Sequence, residues 1–334
     1  MTPSPRDRID PECLAGLDAM LAASGPGGFA AIPDLVERRR ILAELTAAAA
    51  STLPAAEGLT ISDHLAPRTT ATTAPDAGQG PPVPVRVYRP VGAGPRAPGI
   101  LLMHGGGMVA GSIDQEEAVA RRVATEVPAV VVSVGYRLAP EHPAPAAVHD
   151  CYAALMWLAA SAAELGVDAR RLAVFGRSAG GGLAAAVALL ARDLGGPALR
   201  FQMPLYPMLD DRNTTASSHE IVDVGVWDRA ANVEAWDLYL GGHRGDDEAV
   251  AAAVPARAQD LAELPPAFID VGTVDLFRDE VIEYVARLVG AGVPVEFHLW
   301  PGVFHAAEKF APDAGISRRI WDVRFAALRA ALLA

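Results

Sequence analysis

The sequence has very few cysteines and an unusual shortage of lysine. Cys13 and Cys151 are the only two cysteines among 334 residues. Two thiols do not make a disulfide framework, and no cysteine or histidine spacing indicates a metal site. We therefore expect no metal and no other cofactor, and a reducing, cytoplasmic compartment. The 28 basic residues, all arginine except Lys309, are outnumbered by 40 acidic ones, and the net charge of −12 argues against nucleic-acid binding. The one basic run, Arg38 to Arg40, is predicted to lie on the solvated face of a helix.

Long apolar runs are also lacking. No uninterrupted stretch approaches the roughly 20 residues of a membrane span. The first residues, MTPSPRDRIDPE, lack the basic end and apolar run of a signal peptide. The sequence therefore predicts a protein with no membrane association, and it leaves open whether the chain forms a homodimer.

From residue 98 onward, short apolar runs alternate with helical segments. This alternation predicts an α/β fold whose mainly parallel central sheet is flanked by helices. Two further strands, 59–61 and 83–88, come earlier, and Pro84 suggests that the second lies at a sheet edge. The later strands are predicted at 100–103, 129–134, 172–175, 201–205, 267–271 and 295–299, with helices near 115–126, 145–163, 179–193, 278–291 and 315–333.

Two segments do not follow this alternation. Residues 1–55 are rich in Ala and Leu at helical spacing. Residues 209–245 leave a strand and enter a helical stretch from 227 to 240. We expect both to form a helical cap, residues 1–55 as its N-terminal segment and 209–245 as its second segment. The catalytic domain would then consist of residues 56–208 and 246–334.

The motif Gly176-Arg177-Ser178-Ala179-Gly180 has the form G-x-S-x-G. It follows the predicted strand 172–175 and begins the predicted helix 179–193, which is the setting of a nucleophile elbow. Small residues suit such a turn because its backbone passes close to its neighbours. The motif alone is weak, and a glycine-rich turn with a helix-capping serine remains the alternative.

A second motif, His104-Gly105-Gly106-Gly107, follows the predicted strand 100–103. Three glycines leave backbone N–H groups unobstructed, and with the N–H of Ala179 they are candidates for an oxyanion hole. A dinucleotide-binding loop is disfavoured, because the glycine order is not G-x-G-x-x-G and no acidic residue closes the next strand near residue 134. His104 itself is interpreted as a structural loop residue.

Together, the HGGG motif and the G-x-S-A-G-G elbow resemble the hormone-sensitive-lipase-like (bacterial family IV) esterases of the α/β-hydrolase superfamily. The resemblance runs from about residue 83 to the C-terminus, and residues 133–143 are similar to the family's structural YRLAPE-P stretch. It implies the α/β-hydrolase fold and a catalytic triad in the order Ser, Asp, His. Ser178 is then the nucleophile, Asp275 matches the acid of D-x-x-R-D-E, and His305 matches the base of PG-x-x-H.

Both Asp275 and His305 come directly after predicted strands, where the carboxyl ends of a parallel sheet meet. Asp279 is the nearest rival acid, and we expect it to cap or pair within its helix. Asp270 lies inside a strand and is less well placed. Arg177 departs from the family, which has Asp or Thr before the serine. We expect Arg177 to face away from the pocket and to pair with an acid.

These residues predict hydrolysis of short-acyl carboxylic esters through an acyl-enzyme intermediate, with a small-molecule ester as substrate. An amidase or arylformamidase with the same triad stays open. A non-catalytic small-molecule-binding member of the fold is disfavoured, because similar receptors lose the histidine that is present here as His305.

Overall fold

A mostly parallel sheet forms the centre of the molecule. The structure is a computed structural model that describes residues 4–25, 28, 32–68, 80–242 and 252–333. Its strands are β1 (Leu59–Ala66), β2 (Val83–Pro90), β3 (Ala97–Met103), β4 (Val130–Val134), β5 (Val167–Arg177), β6 (Leu199–Leu205), β7 (Ala267–Val274) and β8 (Val295–Phe304). Among the described residues they form one eight-stranded sheet in the order β1-β2-β4-β3-β5-β6-β7-β8. β2 runs antiparallel to β1 and β4, and every other neighbouring pair is parallel.

Helices cover this sheet, which confirms the predicted α/β-hydrolase fold. Every residue of β3 and β4 is buried, as expected for parallel strands that are covered on both faces. None of the described helices is long and apolar enough to cross a membrane. The helices are α1 (Pro11–Ser24), α2 (Leu35–Ser51), α3 (Glu117–Glu126), α4 (Ala146–Ala160), α5 (Ala162–Leu165), α6 (Ala179–Asp193), α7 (Ala216–Glu220), α8 (Arg229–Leu240), α9 (Arg278–Gly290), α10 (Ala307–Phe310) and α11 (Gly315–Leu333).

The prediction that Pro84 marks an edge strand is wrong. β2 lies between β1 and β4, and it pairs with both. Pro84 is the second residue of β2, and pairing with β4 begins one residue later, where Val85 lies opposite Val134. The carbonyl of Pro84 still accepts a hydrogen bond from Gly135 N at 2.9 Å. A proline is tolerated in an internal strand here because its missing N–H falls at the start of the strand.

The arginine run of α2 is not the solvated face that the sequence predicts. Arg38 forms a bidentate ion pair with Glu234 of α8, with N–O distances of 2.7 and 2.8 Å. Arg39 pairs with Glu141 at 2.7 Å and donates to the carbonyl of Val109 at 2.7 Å. Within the run, only Arg40 lies on the exposed face of the helix. The first two therefore tie α2 to α8 and to the loops that follow β3 and β4.

Both cysteines lie in the interior as free thiols. Cys13 is on α1 and Cys151 is on α4. Burial raises the pKa of the Cys13 thiol to about 11 and holds that of Cys151 well above its usual range. Neither thiol therefore ionises readily, as expected for inert packing residues.

Candidate active site

Ser178 occupies a sharp turn between β5 and α6. Its backbone has φ +57° and ψ −121°, a conformation that is costly for a residue with a side chain and is typical of functional turns. The turn depends on its glycines. A Cβ on Gly176 would lie 2.0 Å from the carbonyl oxygen of Gly180, and one on Gly180 would lie 2.1 Å from that of Met103. Ser178 N donates to Leu205 O at 3.0 Å, which anchors the turn to β6.

The structure brings the three predicted triad residues together at the carboxyl ends of the strands. Asp275 follows β7 and His305 follows β8. Nδ1 of His305 lies 2.9 Å from Oδ2 of Asp275, and Nε2 of His305 lies 3.0 Å from Oγ of Ser178. All three residues are buried. The arrangement is a hydrogen-bonded chain from a serine hydroxyl through an imidazole to a carboxylate, the groups that a serine nucleophile, a general base and an orienting acid require.

Aromatic rings and one backbone hydrogen bond hold this chain in place. Oδ1 of Asp275 accepts a hydrogen bond from Phe277 N at 3.0 Å, which leaves Oδ2 for the histidine. The rings of Tyr206 and Phe277 meet the imidazole of His305 edge-on, at centroid distances of 5.1 and 5.2 Å. The indole of Trp227 lies 6.4 Å away. These contacts restrict the orientation of the imidazole, and the Asp275 carboxylate beside it is buried.

The two rival acids have other partners. Oδ2 of Asp279 accepts from Ser217 N at 2.7 Å, and its Oδ1 accepts from the side chain of Arg278 at 2.7 Å. Burial raises the pKa of Asp279, but its hydrogen bonds outweigh that effect and hold the pKa below its usual value. Asp270 is fully buried and paired with Arg324 at 2.8 and 3.1 Å. Asp279 therefore pairs within its helix, as the sequence predicts. It also joins this helix to α7, which the sequence does not predict.

A cavity of about 150 Å³ opens beside Ser178 and His305. Gly105 and Gly106 line it, and a Cβ on Gly105 would lie 3.5 Å from the Cβ of Ser178. Within the described part of the chain, the N–H groups of these two glycines donate to no other group. The N–H of Ala179, the first residue of α6, has no partner within its helix. All three N–H groups are available to a ligand.

Gly107 and His104 have a different role in the same loop. Gly107 packs against Trp227, and a Cβ at this position would lie 2.4 Å from the indole. The ring of His104 is buried and stacks on Tyr136 at a centroid distance of 4.0 Å. The hydroxyl of Tyr136 donates to His104 O at 2.7 Å. Burial lowers the pKa of His104. The structural interpretation of His104 is thus confirmed, and the residue 133–143 stretch supports the glycine loop.

Arg177, which precedes Ser178 in the chain, forms a buried ion pair with Glu116. Nη2 of Arg177 lies 2.8 and 2.7 Å from the two carboxylate oxygens of Glu116, and Nε lies 3.1 Å from one of them. The expected pairing with an acid is confirmed. However, Arg177 and Glu116 also lie in the wall of the cavity, so the expectation that Arg177 faces away from the pocket is wrong. Sequence reasoning missed Glu116 because the two residues are 61 positions apart.

The pair belongs to a longer row of buried charges beneath the site. Nη1 of Arg177 lies 3.9 Å from Oε1 of Glu308, which is also bound by Arg324 at 3.0 Å and by the hydroxyl of Tyr206 at 2.6 Å. Arg324 continues to Asp270. The row joins the residue before Ser178, the helix that follows His305 and the strand that precedes Asp275. It therefore ties together the three segments that carry the triad.

We predict that Arg177→Thr lowers stability more than it lowers turnover. Removing one partner leaves Glu116 buried without its counterion, which typically costs about 3–5 kcal/mol in the free energy of unfolding. Denaturant unfolding measures that loss, and kcat on an ester measures the chemistry. The double variant Arg177→Met/Glu116→Leu is the control, because it removes both charges and should recover much of the stability. An unchanged melting temperature with a hundredfold lower kcat would instead place Arg177 in the chemistry.

Comparison with known proteins identifies the family of this chain. Residues 100–309 match the family described as having the α/β hydrolase fold. The chain is 42% identical over 223 residues to Esterase LipI of Mycobacterium tuberculosis, covering 66% of this chain and 69% of that protein. It is 41% identical over 252 residues to Carboxylesterase NlhH of the same organism, covering 75% and 79%.

Among solved structures, a bacterial heroin esterase superposes with a TM-score of 0.88 at 38% identity, over 98% of this chain and 99% of that one. This similarity extends to the N-terminal helices, for which the sequence motifs give no evidence. The chain belongs to the hormone-sensitive-lipase-like esterases of the α/β-hydrolase superfamily.

Proposed function

We propose that this chain hydrolyses short-acyl esters of small molecules through an acyl-enzyme intermediate on Ser178. The observation that carries the proposal is the hydrogen-bonded chain from Ser178 Oγ through His305 to Asp275. It lies in a chain that belongs to an esterase family. The relatives are named as esterases and carboxylesterases, which supports carboxylic esters as the substrate class.

The reaction follows from the donors and acceptors of the site. Oγ of Ser178 attacks the ester carbonyl carbon while Nε2 of His305 takes the hydroxyl proton. Asp275 keeps the proton of the imidazole on Nδ1 and stabilises the imidazolium that forms. His305 then returns the proton to the leaving alcohol, and the acyl group remains on Ser178. A water molecule, deprotonated by His305, attacks this acyl-enzyme, and the carboxylic acid leaves as the serine is restored.

We assign the oxyanion hole to the N–H groups of Gly105, Gly106 and Ala179. These N–H groups lie beside Ser178, and they donate no hydrogen bond within the described residues, which supports this assignment. Donors of this kind stabilise the negative charge of the tetrahedral intermediate without having to reorganise. Gly107, which the sequence also suggests, packs against Trp227 and is a weaker candidate.

We also propose that residues 1–55 and 209–245 form the cap of a catalytic domain made of residues 56–208 and 246–334. Leu35 and Leu42 from the first segment and Val226 and Trp227 from the second line the cavity beside Ser178, which supports a role in substrate binding. The Arg38–Glu234 pair links the two segments. The buried, free thiols are compatible with the cytoplasmic location that the sequence predicts.

Short acyl chains are expected to react faster than long ones. The cavity of about 150 Å³ is small beside the roughly 300–1,000 Å³ of pockets that hold drug-sized ligands. The test is kcat/KM on p-nitrophenyl acetate, butyrate, octanoate and palmitate, with the anilide of the best acyl group as an amide control. Acetate and butyrate esters should be the best substrates. Faster hydrolysis of palmitate or of a long-chain triglyceride would contradict the proposal, and faster hydrolysis of the anilide would indicate an amidase.

A further inference from the structure

Lys309, the sole lysine of the chain, lies in the wall of the substrate cavity. It is on α10, four residues after His305. The same side chain lines a second, larger cavity of about 370 Å³, which is bounded by α1, α2 and the 114–118 segment. Leu42, Gln115 and Phe310 also line both cavities. These four residues form the wall that the two cavities share.

The other charged groups in this region have partners. Each arginine or carboxylate that lines either cavity forms an ion pair at 2.7 Å. The pairs are Arg38 with Glu234, Arg177 with Glu116 and Asp114 with Arg86. Their charges are therefore compensated within the protein.

Lys309 has no such compensation. No carboxylate of the described residues lies at ion-pair distance from its ammonium, and its nearest recorded contact is the ring of Phe310, with Nζ 5.8 Å from the centroid. The neighbouring Glu308 is occupied by Arg324 and Tyr206. Lys309 is exposed to solvent. Its ammonium is therefore accessible to an anionic ligand, which would meet a cation that no carboxylate of the described residues holds.

Gln115 presents a second polar group without a partner in the same wall. Its Oε1 is buried and has no hydrogen-bond partner within the described residues. A carboxylate cannot satisfy this oxygen, because both groups only accept hydrogen bonds. Rotation of the amide by 180° would place its two N–H donors there instead, and a carboxylate could accept from them.

We propose that Lys309 and Gln115 form a carboxylate-binding subsite, so that the preferred substrates are esters that carry a free carboxylate. The inference rests on the proposed esterase function and specifies its substrate class. One ammonium and one amide suit a singly charged carboxylate, which accepts a hydrogen bond on each oxygen. A phosphate would bring more charge and more acceptor oxygens than this wall can match. The apolar residues around the subsite would pack against the aliphatic chain between the carboxylate and the ester.

The experiment compares paired esters that differ only in the carboxylate. One series consists of monomethyl esters of dicarboxylic acids from succinate to suberate, each against the methyl ester of the monocarboxylic acid of equal length. The other consists of acetate esters of ω-hydroxy acids, each against the acetate ester of the equal alcohol. Acid release in a pH-stat gives kcat/KM. We expect at least one charged ester to exceed its neutral partner by about tenfold, the effect of one charge-assisted hydrogen bond.

Variants then test which residues produce the preference. Lys309→Met should lower the ratio of charged to neutral kcat/KM to about one. Gln115→Leu should reduce this ratio, and Lys309→Arg should retain most of it. Arg40→Met, which removes an exposed cation from α2, is the matched control and should leave the ratio unchanged. Equal rates for charged and neutral esters in both series, or a preference that survives in Lys309→Met, would overturn the subsite. Failure to hydrolyse any ester, the neutral ones included, would instead overturn the proposed function.

Discussion

Ser178→Ala is expected to reduce ester hydrolysis by about 10⁶-fold in kcat while leaving the fold intact. The substitution removes the oxygen that forms the acyl-enzyme and changes nothing else in the hydrogen-bonded chain to His305 and Asp275. The strained backbone at position 178 is held by Leu205 O and by the neighbouring glycines, which remain. Turnover of p-nitrophenyl butyrate measures the loss of kcat, and the melting temperature shows whether the fold is intact.

Covalent labelling makes this experiment specific for the position. A p-nitrophenyl phosphonate should add one phosphonyl group to the wild-type protein, on the peptide that contains Ser178, and none to Ser178→Ala. His305→Ala should be comparably inactive, because members of a triad act as a unit. Ser133→Ala is the matched control, since Ser133 is also a buried serine, and its hydroxyl has no hydrogen-bond partner among the residues that the structure describes. Residual turnover of more than a few percent in Ser178→Ala would exclude it as the nucleophile.

Ser178, His305 and Asp275 could be predicted from the sequence for a definite physical reason. In a parallel sheet all carboxyl ends lie at one edge, so residues that directly follow separate strands are brought together without any knowledge of their contacts. Ser178, Asp275 and His305 follow β5, β7 and β8, and the structure places them within hydrogen-bond distance. The long helices were equally accessible because apolar periodicity marks them, whereas the short helices α7 and α10 were not predicted.

The features that sequence reasoning missed depend on partners from distant segments. Glu116 and Glu308 have no local pattern that distinguishes them from surface acids, and they become significant only because Arg177 and Arg324 are folded against them. Likewise, Pro84 indicates an edge by its missing N–H, yet Pro84 lies opposite Leu65 of β1 and just outside the residues of β2 that pair with β4. Burial and ion pairing are properties of the assembled fold, and one residue's neighbours in sequence do not determine them.

Asp275→Asn is expected to lower kcat by about 10⁴-fold, whereas Asp279→Asn should leave most of the activity. The carboxylate of Asp275 lies 2.9 Å from Nδ1 of His305, and it fixes the tautomer in which Nε2 is free to accept the serine proton. An asparagine that donates its N–H to Nδ1 would hold the opposite tautomer, in which Nε2 already carries a proton. Hydrolysis would then lack its base, although the packing of the site would hardly change.

Asp279 provides the matched comparison, because it is an aspartate of the same segment one helical turn further on. Its Oδ2 accepts from Ser217 N and its Oδ1 accepts from Arg278, so an asparagine there keeps an acceptor for Ser217 and loses both the charge and the acceptor that bind Arg278. Measurement of kcat and of the melting temperature for both variants separates the two roles. Asp275→Asn should lose turnover at a nearly unchanged melting temperature, and Asp279→Asn should lose some stability and little turnover. The reverse order of severity in kcat would show that Asp279 is the acid that orients His305.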